Sequence, residues 1–357
     1  MSKKAKVFLI LFALSVALGV AFKASVDFSE FYTVRISPIF RVPLSMISSL
    51  LPFSLAEALV VILAFLLVVT ALSGLKMGIL RLLKKDAVSH FSIYLKIVLY
   101  SVAFIWFTYA FAFESSYSRK PVNEALGFEL VEMNTSNVSE ALDKVTEELV
   151  KTAEELENTS RLELTFNQIA DEVLKGAKKA SEKHPIYQGI PFRAKPLAFS
   201  KPLAYTGISG IYSFFTGEAN INTAFSDYSI PFTVAHEYSH QLGIGSEKEA
   251  EFSALLICLE SDNPYVRYSA YSQVAITLSN ILFELDEEAF YNAFRQFPHR
   301  LVTDIYLSSQ RYQKYSETVA DEIAEAINDT YLSLSGDEGV ISYSLSSQLY
   351  VAYFLKE

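Results

Sequence analysis

The chain has 357 residues, of which 51% are hydrophobic, and its formal net charge at pH 7 is -10. Residues 1–113 carry eleven Lys and Arg against four Asp and Glu, a balance of +7, which leaves -17 for residues 114–357. So acidic a C-terminal part argues against nucleic acid or anionic lipid as its partner. The single cysteine, Cys258, excludes an intrachain disulfide.

Three apolar segments in the first third of the chain predict transmembrane helices, at about residues 7–22, 55–75 and 93–113. The second and third reach the length of about 20 apolar residues that a helix needs to cross a bilayer. The first is slightly shorter, so a signal peptide is the alternative; its long apolar run without a clear cleavage site favours a membrane anchor. We therefore expect residues 1–113 to form a membrane domain whose partner is the lipid bilayer.

Basic residues predict the orientation of these segments. Three lysines precede the first segment, and a basic cluster separates the second from the third: Lys76, Arg81, Lys84 and Lys85. Positively charged loops stay in the cytoplasm. The prediction is a multi-pass protein of the cytoplasmic membrane with its N-terminus inside and its C-terminal domain outside, and cleavage of the first segment would leave that location unchanged.

The segment after the third apolar stretch changes character. Residues 114–130 are polar and interrupted by Pro121, which predicts a juxtamembrane linker. Apolar residues then recur with a spacing near 3.6 over 134–159, and a second such pattern covers 161–184. Both patterns predict amphipathic helices.

Short aromatic runs between prolines and glycines follow over residues 185–231 and predict strands and turns. Helical patterns return towards the C-terminus, including the stretch SETVADEIAEAINDTYLS at 316–333. The predicted fold class of residues 131–357 is therefore α+β, mostly helical, with a small sheet.

The stretch TVAHEYSHQLG contains an H-E-x-x-H motif. His236 and His240 are four residues apart, so a helix places both imidazoles on one face, one turn apart. Both can then reach one Zn²⁺ at about 2.0–2.1 Å. Glu237 is rotated away from that face and is suited to act as general base towards a water at the metal. The alternative interpretation is a pair of surface histidines on a helix.

A catalytic zinc also needs a third protein ligand, and three nearby glutamates are candidates. Ser246 and Glu249 form S-x-x-E, which predicts a capping box and gives Glu249 a structural role. Glu247 and Glu251 share a helix face with small side chains. We expect Glu247 to be the ligand and Glu251 to orient a histidine. Exchange of these two roles is the main alternative, and Glu249 as ligand is a further one.

An extended segment precedes the motif. Zinc peptidases commonly place an edge strand beside the active-site helix, where an extended peptide can pair with it. Glu218, Ala219, Asn220 and Ile221 are candidates for that strand. An ordinary strand and turn, whose asparagines satisfy the loop backbone, is an equal alternative. Glu218 is also a less favoured ligand candidate.

Two resemblances add to these patterns. HEYSH followed by EKEAE resembles the gluzincin pattern HExxH…ExxA(D/E) of integral-membrane zinc peptidases, which implies Glu247 as third ligand. Here Glu251 replaces the usual aspartate and the spacer is short, so the fold of those enzymes need not carry over.

The segments YSRKPVNEALGF, GISGIYSFFTGEANIN, IPFTVAHEYSHQLG and EKEAEFSA resemble an uncharacterised bacterial family, known only as a domain of unknown function. That family has N-terminal transmembrane helices and an H-E-x-x-H. The resemblance implies a metallopeptidase and brings no established substrate.

The sequence therefore predicts a membrane-anchored, zinc-dependent metallopeptidase whose zincin-like domain cleaves a peptide or protein substrate outside the membrane. In this prediction His236, His240 and Glu247 hold Zn²⁺ and Glu237 is the general base. The alternative is a non-catalytic metal-binding membrane scaffold or interaction protein. A fourth protein ligand would favour that alternative, because structural zinc sites are closed.

Overall fold

A computed structural model describes residues 3–83, 90–158, 164–187, 189–315 and 341–356. The described chain is mostly helical and contains one small sheet. The helix predicted at 316–333 lies outside the described residues, as do Lys84 and Lys85 of the predicted cytoplasmic loop.

The N-terminal third contains long apolar helices joined by shorter ones. Its helices are α1 (Lys3–Ala24), α2 (Val26–Arg35), α3 (Ser37–Ser49), α4 (Leu55–Leu82) and α5 (Phe91–Ala112). By length and composition α1, α4 and α5 can cross a membrane, and few of their side chains are buried within the protein. The three apolar segments predicted from the sequence are therefore confirmed as helices long enough to span a bilayer. Sequence patterns did not predict the helices α2 and α3.

The remaining helices belong to the C-terminal part of the chain, which carries the H-E-x-x-H motif. They are two 3₁₀ turns (Glu114–Ser118 and Asp227–Ser229), α6 (Val122–Ala125), α7 (Thr135–Asn158), α8 (Phe166–Lys183), α9 (Ser200–Ala204), α10 (Ile230–Gln241), α11 (Glu247–Leu259), α12 (Pro264–Leu285), α13 (Glu287–Phe294), α14 (His299–Gln313) and α15 (Ile341–Lys356). α7 and α8 correspond to the two predicted amphipathic helices. On α7 the periodic apolar residues Val138, Leu142, Val145 and Leu149 are fully buried. Their apolar face packs against α12, and α10 lies between α8, α11 and α12.

The sheet has the strands β1 (Lys195–Pro196), β2 (Gly210–Ser213) and β3 (Glu218–Ile221), in the order β1-β3-β2. β3 is parallel to β1 and antiparallel to β2. The strand at Glu218–Ile221 is confirmed, but its prediction as an edge strand is wrong because β3 is the middle strand. A tight hairpin turn ending at Gly217, with φ of +71°, folds β2 back onto one side of β3 while β1 occupies the other.

A buried ion pair joins this sheet to the apolar helices of the N-terminal third. Lys195 Nζ donates to Glu218 Oε1 at 2.6 Å and to the carbonyls of Ser48 and Phe53 at 2.6 and 3.0 Å. The Glu218 carboxylate accepts from the first two backbone N–H groups of α4 at 3.0 and 2.7 Å. A carboxylate at a helix N-terminus and an ammonium at a helix C-terminus both complement the helix dipole. Glu218 therefore holds the α3–α4 connection and lies outside the cluster of motif histidines.

The segment predicted as a juxtamembrane linker, 114–130, is folded against the motif. Ser116 and Arg119 are buried within it. The Ser116 carbonyl accepts from the backbone of Gly245, and Arg119 Nη1 donates to the carbonyl of Gly243 at 2.9 Å. The end of α5 is thereby joined to the turn that follows α10.

Breaking the buried ion pair tests its anchoring role. Glu218→Ala is expected to lower the free energy of unfolding by about 3 to 5 kcal/mol, because the Lys195 ammonium is left buried without its counter-ion. The double change Lys195→Met with Glu218→Leu should recover part of this loss, since both buried charges are then removed. Denaturant unfolding in detergent micelles measures both effects.

The control is Lys175→Ala, which breaks an exposed ion pair with Glu172 and should leave the unfolding midpoint unchanged. A Glu218→Ala protein as stable as wild type would show that the ion pair does not anchor the α3–α4 connection.

Candidate metal centre

The helix that carries the motif is defined by its ends. Pro231 occupies its first turn, where the missing N–H costs no hydrogen bond. At the other end Gly243 has φ of +90°, a left-handed conformation that ends the helix. Between them α10 is buried almost throughout, and His236 is its most accessible motif residue, with a side chain 16% exposed.

The two histidines and one glutamate converge at a single point. The Nε2 atoms of His236 and His240 are 3.2 Å apart. Glu247, the first residue of α11, places Oε2 3.0 Å from His236 Nε2 and Oε1 3.6 Å from His240 Nε2. One ligand atom from each of the three residues lies within 4.8 Å of the others. These residues form a group that could hold a metal ion.

Hydrogen bonds at the Nδ1 atoms of the two rings determine which imidazole nitrogen carries the proton. His236 Nδ1 is 3.1 Å from Glu251 Oε2, and His240 Nδ1 is 2.8 Å from the carbonyl of Ile244. A carboxylate and a carbonyl only accept hydrogen bonds, so each Nδ1 carries the proton. In a neutral imidazole the Nε2 lone pair is then directed to the centre of the cluster.

With both imidazoles neutral, the three facing acceptor atoms repel one another unless a proton or a metal ion lies between them. The donor set, two imidazole nitrogens and a carboxylate oxygen, is typical of a catalytic zinc site with three protein ligands. Tetrahedral bonds of about 2.0–2.1 Å separate two ligand nitrogens by about 3.3 Å, which is close to the observed Nε2–Nε2 distance of 3.2 Å. The residues present therefore fit a metal ion of this kind.

Electrostatics inside the cluster follow from the same contacts. Burial lowers the pKa of His236, but its contacts with Glu247 and Glu251 more than offset this and raise the pKa well above its ordinary value. Burial raises the pKa of the Glu247 carboxyl, yet the two histidines hold it below its usual range. The cluster thus binds positive charge strongly, as a proton or as a metal ion.

Glu237 lies beside the cluster and outside the converging group. Its side chain is buried, and β2 passes directly over it: a Cβ on Gly210 would be 2.5 Å from Glu237 Oε1. Oε2 has no hydrogen-bond partner among the described residues. Burial raises the pKa of this carboxyl from 4.5 to about 7, against the opposing effect of the neighbouring histidines. Glu237 is therefore a buried carboxyl that changes charge near neutral pH.

The other two glutamates of the second helix are separated by their contacts. Glu251 contacts His236 and is not among the three converging residues. Glu249 Oε1 accepts from the backbone N–H of Val122 at 3.0 Å. The predicted capping box is wrong: Ser246 stands at the N-cap of α11, but its side chain makes no capping hydrogen bond. Glu249 instead accepts a hydrogen bond from the segment that was predicted to be a linker.

Aromatic rings join the cluster to the end of the third apolar helix. The His240 ring lies 6.2 Å from the ring of Phe113, the residue after α5, and 6.2 Å from that of Tyr212 on β2. Phe113 and Tyr109 both contact Phe214 in the β2–β3 turn. The aromatic end of α5 thus forms one wall around the second motif histidine.

Two arginines that sequence reasoning missed lie beneath the C-terminus of α10. Arg119 donates to the Gly243 carbonyl and forms a bidentate ion pair with Glu30 of α2. Arg41 of α3 is 2% exposed and lies against Gly243, and burial lowers its pKa to about 10. Cations at this end complement the helix dipole. Polar residues at helical spacing around Arg41, in an otherwise apolar segment, were the signal that a polar face is buried there.

Metal analysis of variants tests the assignment of the ligands. His236→Ala and Glu247→Ala are expected to lose stoichiometric metal, because each removes a ligand atom. Glu251→Ala should keep the metal but bind it about 10- to 100-fold more weakly, since an orienting contact is lost. Atomic absorption and titration with a competing chelator measure both effects. Glu249→Ala is the matched control and should bind like wild type; loss of metal from Glu251→Ala alone would reverse the two roles.

The buried carboxyl predicts a pH dependence of stability in the metal-free protein. Because the folded state raises the pKa of Glu237 from 4.5 to about 7, it binds this proton more tightly than the unfolded chain does. The contribution to stability is complete at low pH and is lost as the pH rises through this window. Relative to wild type, Glu237→Gln should therefore gain about 3 kcal/mol of unfolding free energy between about pH 4.5 and about pH 7. A difference that does not change with pH would contradict this.

Comparison with known proteins places the chain in a family. No curated protein and no solved structure matches it. A family model described as "Protein of unknown function (DUF3810)" matches residues 32–351, which include every residue of the candidate metal centre. The chain therefore belongs to the DUF3810 family of proteins of unknown function.

Proposed function

We propose that this protein is a membrane-anchored, zinc-dependent hydrolase that cleaves peptide bonds outside the cytoplasmic membrane. The observation that carries the proposal is the convergence of His236 Nε2, His240 Nε2 and the Glu247 carboxylate beside the buried carboxyl of Glu237. A metal site with three protein ligands keeps a position open for water or substrate. A general base next to that position is the remaining requirement for hydrolysis.

Zinc is the metal that best fits this donor set. Imidazole and carboxylate ligands in a group of three are common at catalytic zinc sites. A site for Mg²⁺ or Ca²⁺ would be built from oxygen ligands. Two imidazole nitrogens therefore favour Zn²⁺ over Mg²⁺ and Ca²⁺, and the H-E-x-x-H arrangement on one helix favours Zn²⁺ over the other metals that imidazole binds.

Each residue of the cluster has a distinct role in the proposed reaction. When bound, the metal supplies a Lewis acid that polarises the scissile carbonyl and lowers the pKa of a water molecule. Glu251 and the Ile244 carbonyl hold the two imidazoles with Nε2 towards the metal. Glu237 takes a proton from the attacking water and passes it to the leaving amine. In the metal-free protein burial raises the pKa of Glu237 to about 7, and a pKa near the operating pH suits a group that both accepts and donates a proton.

In this proposal β2 is the strand with which an extended peptide substrate pairs. It pairs with β3 on one side, and no strand pairs with its other side among the described residues. β2 also packs against α10, with Gly210 beside Glu237. An extended peptide that pairs with the outer edge of β2 would pass close to the metal centre.

The proposed location is supported by which ends of the apolar helices lie near the C-terminal domain and which lie near basic residues. The hydroxyl of Ser37 on α3 donates to the carbonyl of Ala112 at the end of α5, so the α1–α4 connection and the C-terminal domain share one side. Lys76 and Arg81 lie towards the opposite end, in the second half of α4. By the positive-inside rule, this arrangement supports a location of the candidate metal centre outside the cytoplasm.

A non-catalytic metal-binding scaffold is the competing function. Such a protein would close its site with a fourth ligand, whereas the group found among the described residues has three members. A scaffold would also gain nothing from burying a carboxyl oxygen without a hydrogen-bond partner, as Glu237 does. Both observations favour a hydrolase.

The role of Glu237 is tested by removing its charge while keeping its shape. Glu237→Gln is expected to retain stoichiometric zinc and to lower kcat on a mixture of fluorogenic peptides by about 10²- to 10⁴-fold, because an amide cannot accept the proton. The matched control is Glu260→Gln, the same change at the far end of α11, where the carboxylate pairs with Lys183. Its kcat should equal that of wild type. A zinc-loaded Glu237→Gln protein with undiminished turnover would show that Glu237 is not the base.

A further inference from the structure

The second of the two helices between α1 and α4, α3, has a polar buried face and an apolar exposed face. The buried face of α3 is entirely polar and consists of Ser37, Arg41, Ser45 and Ser48. The opposite face is apolar and exposed. It includes Ile39 (67% exposed), Phe40 (42%), Met46 (55%) and Ile47 (61%), and Leu50 (81%) continues it beyond the helix. In a helix surrounded by water the apolar stripe would face the protein core.

The polar face of α3 is fixed by contacts with the rest of the protein. Ser45 Oγ donates to the Gly217 carbonyl at 2.8 Å, and the same carbonyl accepts from Gln241 Nε2 at 2.8 Å. Arg41 lies against Gly243. Gln241 directly follows His240 along the chain, and Gly243 lies two residues further on. The polar face of α3 therefore supports the end of the helix that carries the motif histidines.

The apolar face lies level with the ends of the three apolar helices. The Phe40 ring is 5.7 Å from that of Phe111, near the end of α5. α2 separates α1 from α3, and a short segment that contains Pro52 and Phe53 joins α3 to α4. With 13 residues, α3 is about 20 Å long, which is too short to cross the hydrocarbon core.

We propose that α3 is an interfacial helix that lies in the plane of the membrane, with Ile39, Phe40, Met46 and Ile47 inserted among the lipids. The occupant of this face is the bilayer because the face continues the exposed apolar surface of α1, α4 and α5. Helices with one apolar and one polar face lie at the boundary between headgroups and acyl chains. In most such helices the polar face contacts water, whereas in α3 it contacts the rest of the protein.

This position places the metal centre near the membrane surface. The end of α10 rests on the polar face of α3, so about one helix diameter, roughly 10 Å, separates the motif from the lipid. If the protein is the hydrolase proposed above, its substrates are polypeptide segments held close to the bilayer. The placement of α3 itself does not depend on that activity.

Nitroxide labels on the full chain test the placement of α3. Cys258 is the only cysteine and is fully buried, so single cysteines can be introduced in a Cys258→Ala background. Ile47→Cys reports on the α3 face. Val16→Cys on α1 is the lipid reference, and Leu285→Cys, an exposed apolar position at the end of α12, is the water reference. The protein is reconstituted into vesicles of phosphatidylethanolamine and phosphatidylglycerol.

Collisions with oxygen, which concentrates in lipid, are compared with collisions with a water-soluble nickel chelate. The label at Ile47→Cys is expected to resemble that at Val16→Cys, reached by oxygen and shielded from nickel, while Leu285→Cys shows the reverse. Nickel access at Ile47→Cys equal to that at Leu285→Cys would overturn the proposal. Shielding from both reagents, with spin–spin broadening that disappears on dilution with unlabelled chain, would also overturn it, because a second copy would then cover the face.

Discussion

The candidate metal centre depends on two hydrogen bonds that hold the far side of each motif imidazole. Glu251 accepts from His236 Nδ1, and the Ile244 carbonyl accepts from His240 Nδ1. These bonds fix the tautomer of both rings, so the two Nε2 lone pairs meet at 3.2 Å. Without them the imidazoles could rotate or exchange tautomers, and the convergence would be lost.

Both acceptors depend on the short turn between α10 and α11. Gly243 adopts a left-handed conformation, which ends α10 and turns the chain so that the Ile244 carbonyl points back at His240. α11 then begins at Glu247, within reach of both histidines, and carries Glu251 one turn later. The candidate ligand Glu247, the orienting carboxylate and the orienting carbonyl thus come from one short stretch of the chain. This compactness explains how a short spacer can complete a three-residue site.

The apolar N-terminal helices and the candidate metal centre are joined through buried polar contacts. Arg119, paired with Glu30, holds the Gly243 carbonyl, while the pair of Lys195 and Glu218 holds the connection before α4. Buried charged groups need such partners, because an unpaired charge is strongly destabilising. These contacts link the apolar helices to the turn that positions His240. The candidate centre is therefore packed against these helices rather than joined to them by a free linker.

Local sequence patterns predicted much of the fold and the centre of the site. Apolar runs identified α1, α4 and α5, and the periodicity of residues such as Leu142 identified α7. The spacing of His236 and His240 and the face shared by Glu247 and Glu251 were also visible in the sequence, because all these features repeat along one helix. These predictions needed no knowledge of the tertiary structure.

Contacts between distant segments were not predictable in the same way. Glu249 was expected to cap its own helix, and it bonds instead to Val122, 127 positions away. For β3 an edge strand and an ordinary strand were equal alternatives. It is the middle strand, because β1 pairs with its second side, through only two residues. α3 was missed because its buried face is polar, opposite to the pattern by which amphipathic helices are recognised.

X-ray absorption at the zinc edge of the full chain tests the central claim most directly. The account predicts two imidazole nitrogens at about 2.0–2.1 Å, with the remaining nearest neighbours oxygen atoms from Glu247 and water. Wild type should show multiple scattering from two imidazole rings. In His240→Ala protein that retains zinc, this scattering should be halved. A first shell that includes sulfur, or scattering from three or more imidazoles, would contradict the assignment of the metal centre to His236, His240 and Glu247.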